Sequence, residues 1–216
     1  MTLFLNAGPP DASAHILLAH GAGAAMTSPF LEKMTGLLTE RGLQVSRFEF
    51  EYMAARRSGG KRRPPPRAEK LVAEYEIAVA ELREQGAGRQ TLLIGGKSMG
   101  GRVASLAADE LFSGGLINGL VCLGYPFHPP NKPENLRTAH LQDLRCPALI
   151  VQGERDPFGG RAEVESYALS PNIAVTWAGD GDHDLGPRGG SGFTRAVNLA
   201  LAADAIAAFA ASVGKR

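Results

Sequence analysis

The sequence predicts an α/β domain, a mostly parallel sheet covered by helices on both faces. Two observations carry that expectation. Short apolar runs of buried-strand type alternate with amphipathic helical patterns from His15 to the end of the chain. The connections between them are short, which calls for right-handed crossovers in one sheet. At 216 residues with 44% hydrophobic and 21% charged composition, one domain can bury an ample core without disulfides or metals. No internal repeat or composition shift marks a boundary, so residues 1–216 are expected to form a single domain.

The first strand is His15-Ile-Leu-Leu-Ala19, ending in His20-Gly21-Ala22-Gly23. A glycine-rich turn of this kind either joins a strand to a helix or aims backbone amides at a bound atom. Thr27 or Ser28 can cap the next helix, with Phe30, Met34, Leu37 and Leu38 as its apolar face and Gly42 as its stop. Gln44–Phe50 alternates like a strand. Tyr52–Arg67 then reads as a basic loop: Arg56, Arg57, Lys61, Arg62, Arg63 and Arg67 flank Gly59-Gly60 and end in the triple proline 64–66. Such a loop is a solvated connection or a rim that attracts an anionic substrate.

A long helix follows over Ala68–Gln85, with Leu71, Val72, Tyr75, Val79 and Leu82 as its core stripe. Next come the strand before Gly95 and the helix carrying Val103, Leu106, Ala107 and Leu111. Strands at Gly119–Leu123, Pro147–Gln152 and Asn172–Trp177 follow, with a helical piece over Glu163–Leu169. The final helix runs from Thr194 to Val213 with Val197, Leu201, Ile206 and Phe209 as its expected face.

The formal charge of +1 argues against a dedicated nucleic-acid or membrane-surface protein. The N-terminus lacks a basic region followed by a long apolar stretch, and the alanine-rich C-terminus is interrupted by Asp204. A soluble, cytoplasmic protein is expected. Cys122 and Cys146 lie in or beside apolar runs and read as buried free thiols.

The chemistry centres on Gly96-Lys97-Ser98-Met99-Gly100, which fits G-x-S-x-G, a serine held on a sharp strand-to-helix turn. Glycine is abundant here, 27 of 216 residues, so the pentapeptide needs its setting to mean anything. A phosphate-binding loop would need a glycine where Thr91 stands, and that reading fails. Two further polar residues follow at other strand ends, Asp156 and then His183. A serine hydroxyl needs an imidazole to take its proton, and the imidazole needs a carboxylate on its other nitrogen. His15, His20, His128 and His140 all precede Asp156, whereas His183 follows the last strand on a loop free to reach Ser98. Asp180, Asp182 and Asp184 sit too close to His183 in the chain and are expected to shape its loop.

His20-Gly-Ala-Gly23, Gly96-Lys-Ser-Met-Gly-Gly101, Gly153-Glu-Arg-Asp-Pro-Phe-Gly159 and Gly181-Asp-His-Asp-Leu185 together resemble the α/β-hydrolase superfamily. The closer likeness is to its small dienelactone-hydrolase-like branch, which includes the hydrolase-like domains of testis-expressed and NSL-complex-subunit proteins. The resemblance implies an α/β-hydrolase fold with Ser98 as nucleophile, Asp156 as acid and His183 as base. It places the oxyanion hole at the amides of Met99 and Ala22. Dienelactone hydrolases proper carry a cysteine nucleophile, so Ser98 leaves dienelactone itself unimplied. Tyr125–Cys146 is too short for a multi-helix cap, which implies an open site with Arg62, Arg63, Phe127 and His128 as candidate rim.

The expected activity is that of a carboxylesterase- or thioesterase-like serine hydrolase. It would cleave a small-molecule ester or thioester through an acyl-enzyme, with no metal or organic cofactor and no nucleic-acid or membrane partner. Two alternatives share the fold: a catalytically silent binding or scaffold protein, and an acyltransferase or peptidase on the same triad. The sequence leaves the oligomeric state open.

Overall fold

The computed structural model describes residues 1–57, 59, 64–87 and 90–214. Its frame is a sheet of seven strands among the described residues: β1 (Leu5–Ala7), β2 (Ala14–Ala19), β3 (Gln44–Phe48), β4 (Thr91–Lys97), β5 (Gly119–Leu123), β6 (Ala148–Gly153) and β7 (Ile173–Ala178). They lie in the order β1-β3-β2-β4-β5-β6-β7. Only β1 runs antiparallel, paired with β3 through Leu5–Arg47 and Ala7–Val45. All other pairs are parallel. Parallel strands buried on both faces need near-continuous apolar sequence, and β2, β5 and β6 are buried at every position.

The helices are α1 (Pro29–Thr39), α2 (Glu51–Arg57), α3 (Val72–Glu84), α4 (Met99–Ser113), α5 (Arg161–Val164) and α6 (Arg195–Val213). They divide the core in two. On one face α3 and α4 bury Tyr75, Val79, Leu82, Val103, Ala107 and Leu111 against Leu17, Ile94 and Cys122. On the other, α1 and α6 bury Leu31, Met34, Leu38, Ala202 and Ile206 against Ile16, Leu18, Leu93 and Val121. Strand residues alternate between the two clusters because successive side chains leave opposite faces of a sheet. Tyr75 ties α3 to the sheet: its hydroxyl proton is shared between Gly95 O and Leu17 O, and its oxygen accepts from Gly95 N–H. Both cysteines are buried and free.

Several elements differ from expectation. The basic segment is not a continuous loop, since Glu51–Arg57 is helical, with Glu51 in its first turn and Arg56 and Arg57 in its last. That charge order suits the helix dipole. Lys61, Arg62 and Arg63 lie outside the described residues. The helix expected from Ala68 begins as a 3-10 turn over Ala68–Leu71 and becomes α3 only at Val72. The helical piece expected over Glu163–Leu169 is the single turn α5. Ser28 takes the extended conformation of an N-cap but makes no side-chain cap bond; Pro29 opens α1 instead. At α6 Thr194 does cap, accepting from Val197 N.

The phase of α6 is the largest correction. Val197 and Leu201 are 57% and 38% exposed. Leu199, Ala202, Ala203, Ile206, Ala210 and Val213 face the core, together with Asn198. Asn198 donates its amide protons to Gly179 O and Leu185 O, a polar clamp on the loop after β7.

Two histidines, His15 buried and His140 partly buried, give the fold an acid sensitivity. His15, on β2, binds Ser46 Oγ through Nε2 at 2.7 Å, and burial lowers its pKa to about 4. Between pH 6.5 and 4 the unfolded chain therefore holds the extra proton, so stability falls as pH falls through that window, by up to about 3 kcal/mol from His15. His140, also lowered to about 4, adds in the same direction. Melting curves from pH 7 to pH 4 should show a shallower fall in Tm for His15→Gln than for the wild type. Equal slopes would remove His15 from the account.

Candidate active site

The parallel strands deliver their carboxyl ends to one edge of the domain, where loops from β2, β4, β5, β6 and β7 converge. At the end of β4 the backbone makes its sharpest departure. Ser98 has φ 52° and ψ −115°, a left-handed conformation that costs a non-glycine residue roughly 1–3 kcal/mol. Ser98 N–H donates to Leu123 O at 2.9 Å, which pins the turn to β5. α4 starts at the next residue, so Met99 N–H stands among the unpaired amides of a helix N-terminus.

This turn exists because its neighbours have no side chains. A Cβ on Gly100 would lie 2.6 Å from both Ala19 O and His20 O, and one on Gly96 2.5 Å from Ala19 O. The helix and the end of β2 are in backbone contact. That contact carries the His20–Gly23 loop alongside Ser98, where Ala22, Ser98 and Met99 line one cavity. Ala22 O is held by the Tyr52 hydroxyl at 3.0 Å.

His20 is a structural part of this loop. Its Nε2 accepts from Phe50 N–H at 3.2 Å, so its Nδ1–H donates to Gly21 O at 2.7 Å. Both nitrogens are committed, and burial pushes the ring's pKa down.

Asp156 and His183 meet across the ends of β6 and β7. His183 Nδ1 and Asp156 Oδ2 are 2.8 Å apart, with the carboxylate fully buried. With Nδ1–H donating, Nε2 is left as the ring's acceptor. Asp156 also accepts from Phe158 N–H at 2.9 Å on Oδ1 and from Gln152 Nε2 at 3.0 Å on Oδ2. Gln152 is itself locked, accepting from Tyr125 N–H at 2.7 Å and donating to Tyr125 O and Gly159 O. The Phe158 ring lies over the imidazole, centroids 4.3 Å apart.

The histidine loop is stitched to the acid loop. Arg155 N–H donates to Gly181 O, and Asp180 N–H to the Glu154 carboxylate. Asp180 pairs with Arg155 and Arg188, and the Arg188 hydrogen bonds hold its carboxyl down to about 2. Asp182 accepts from Asp184 N–H and Gly186 N–H, an Asx turn around His183. The aspartates beside His183 thus shape its loop, as their proximity in the chain suggested. Lys97 supports it from below. It is buried, its ammonium 3.3 Å from Asp184 Oδ1 and over the Phe30 ring. Burial lowers its pKa, and Asp184 opposes that shift.

Of the expected residues, the structure brings His183 and Asp156 into contact and sets Ser98, Met99 and Ala22 on one cavity wall. Among the described residues no hydrogen bond joins Ser98 Oγ to His183. Phe158 links the two, since it both covers the imidazole and lines the cavity of Ser98. The expected rim is corrected. Phe127 is 0% and His128 3% exposed. Phe127 packs edge-on against Tyr125, and His128 Nδ1 bonds Pro129 O. An aromatic residue after a strand end is as apt to fill the core as to face a ligand. Arg62 and Arg63 lie outside the described residues.

Two other serine–histidine pairs lack the parts of a charge-relay site. Ser46 donates to Asn6 Oδ1 at 2.5 Å, so it accepts from His15, whose Nδ1 has no partner. His15 is the second residue of β2, near the amino end, away from the edge that carries Ser98. Ser105 donates to Arg102 O within α4 and accepts from His140 Nε2 at 2.8 Å. Among the described residues, no carboxylate hydrogen-bonds to either histidine.

Residues 12–211 match the family model described as an alpha/beta hydrolase domain. The chain belongs to that family. Membership makes it an enzyme of the α/β-hydrolase class. Solved structures agree on the fold. A dienelactone hydrolase from Anabaena variabilis superposes with a TM-score of 0.69 at 20% identity, covering 93% of this chain and 88% of that one. An α/β serine hydrolase without lid from Xanthomonas campestris gives 0.66 at 19% identity over 86% and 85%. An esterase domain from Rhodothermus marinus gives 0.65 at 17% identity over 95% and 90%. Among the described residues, the only helical element between β5 and β6 is the 3-10 turn Ala139–Leu141.

Three contributors escaped the sequence analysis. Gln152 reads as an ordinary strand residue, and only its burial beside Asp156 reveals it. Arg102 and Arg137 line the cavity of Ser98, together with Arg67 of the basic segment. The signal that could have found Arg102 is its spacing, one helical turn after Ser98.

Proposed function

We propose that the protein is a serine hydrolase that cleaves a small carboxylic ester or thioester through an acyl-enzyme. The observation that carries this reading is the 2.8 Å contact of His183 Nδ1 with the buried Asp156 carboxylate, at the sheet edge where Ser98 sits in a strained turn. In this reading Nε2 of His183 takes the Ser98 proton as Oγ attacks the carbonyl carbon. The oxyanion is received by Met99 N–H and Ala22 N–H. The imidazolium, stabilised by Asp156, gives its proton to the departing alcohol or thiol, and then activates water to release the acid and restore Ser98.

Both proposed donors are free to do this. Met99 N–H is at a helix N-terminus, and Ala22 N–H has no backbone acceptor among the described residues. The cavity at Ser98, about 570 Å³, suits a small acyl or alcohol group. Composition and the packing of α6 on the sheet favour a soluble, cytoplasmic enzyme.

A fluorophosphonate probe should label the wild type and not Ser98→Ala, and ester hydrolysis should vanish with the label. Equal labelling of the two proteins, or no labelling together with inertness toward a broad ester and thioester panel, overturns the proposal.

A further inference from the structure

The cavity that contains Ser98 has a cationic wall. Its wall includes Arg67, Arg102 and Arg137, against one acid, Glu69. Glu69 is committed to Arg102 through a single oxygen, Oε1 to Nη2. Arg102 is only 16% exposed in its side chain, and its Nε is buried with no hydrogen-bond partner. Arg137 is half-buried, and no ion pair forms on its guanidinium among the described residues. Its backbone is fixed on both sides: N–H donates to Phe127 O at 2.7 Å, and O accepts from Tyr125 Oη at 2.9 Å. Burial and, after it, the neighbouring Arg102 disfavour the charged form of Arg137. Two guanidiniums that repel each other on one cavity wall form a costly arrangement that an anion bound between them would relieve.

The geometry points to a substrate that carries a second anionic oxyacid group, carboxylate or phosphate, bound by Arg102 and Arg137 while Ser98 attacks its ester. This deepens the proposed function and rests on it. The distance between the two events follows from the helix. Arg102 N–H donates to Ser98 O at 3.0 Å, so Arg102 stands one turn beyond the nucleophile, with backbones about 6 Å apart. A guanidinium reaching from there meets an anion several bonds from the scissile carbonyl. Its planar fork suits two oxygens of one oxyacid group, and Arg137, on the same cavity wall, adds a guanidinium that carries no ion pair among the described residues. Pro65 and Pro66 line the same cavity and stiffen the wall that Arg67 ends.

Three substrates test this: 4-nitrophenyl hydrogen adipate, its neutral methyl ester, and an acetylated hydroxyalkyl phosphate followed by acetate release. With the wild type, kcat/KM for at least one anionic ester should exceed that of the neutral one by roughly 10- to 100-fold. Preference for the adipate or the phosphate tells which source the pocket takes. Arg137→Gln and Arg102→Gln should each collapse that ratio toward one, mostly through KM. Arg145→Gln, an exposed arginine outside the cavity, should keep it. A wild-type ratio of one or below, or a ratio untouched in both cavity variants, overturns the proposal while esterase activity stands. Inertness toward all three esters, without fluorophosphonate labelling, is a different failure: it overturns the serine-hydrolase reading and this one with it.

Discussion

Asp156→Asn should lower kcat on any ester substrate by about 10⁴-fold with the fold intact. The carboxylate accepts three hydrogen bonds, from His183 Nδ1, Phe158 N and Gln152 Nε2. An asparagine can keep the bond to Phe158 N–H with its oxygen, but its NH2 then faces His183 and Gln152. The Gln152 amide cannot rotate to accept, because its oxygen holds Tyr125 N–H and its nitrogen also serves Tyr125 O and Gly159 O. His183 must turn Nδ1 into an acceptor, which puts its proton on Nε2 and removes the base from Ser98. His183→Ala should cost still more, since it deletes the base outright. Steady-state hydrolysis, with circular dichroism to confirm folding, measures both. A folded Asp156→Asn protein within tenfold of wild-type kcat would discard Asp156 as the partner that sets the tautomer.

Gly100→Ala should destabilise the protein by about 3 kcal/mol or more, a fall in Tm of roughly 6–12 °C for a chain of this length. The added Cβ would meet two carbonyl oxygens of β2's exit, both at 2.6 Å. Backbone cannot rotate away as a long side chain can. Relief requires separating α4 from the loop that carries Ala22, so activity should drop along with stability. Gly23→Ala is the matched control. A Cβ there meets nothing within 4 Å and φ is not positive, so its Tm should stay level or rise slightly. Differential scanning calorimetry of the two variants decides it, and a neutral Gly100→Ala would mean that the helix and strand exit are not in the contact described.

What was legible in the chain follows from local physics. Buried parallel strands need continuous apolar runs, so β2, β4, β5 and β6 announce themselves. The turn at Ser98 needs glycines two residues to either side, so its location shows as well. β1 escaped because Leu5-Asn6-Ala7 is too short to display a period and pairs at the sheet's edge. The phase of α6 was obscured by its alanines. These small residues pack in the core without standing out in a hydrophobic pattern, so Val197 and Leu201 drew the stripe to the wrong face. Phe127 and His128 misled for a related reason, because residue type at a strand end does not say whether the next turn folds inward.

The sequence by itself determined the order of the elements, the parallel sheet, the sharp turn at Ser98 and the strand ends that present Asp156 and His183. Those properties depend on neighbours a few positions away. Only the tertiary structure decided that His183 bonds Asp156 and that Gln152 locks the carboxylate. It alone set Arg102 of α4 beside Arg137, which follows β5, around the cavity of Ser98. Those contacts join residues far apart in the chain. Their partners are chosen by which strands lie side by side and how the loops beyond them pack.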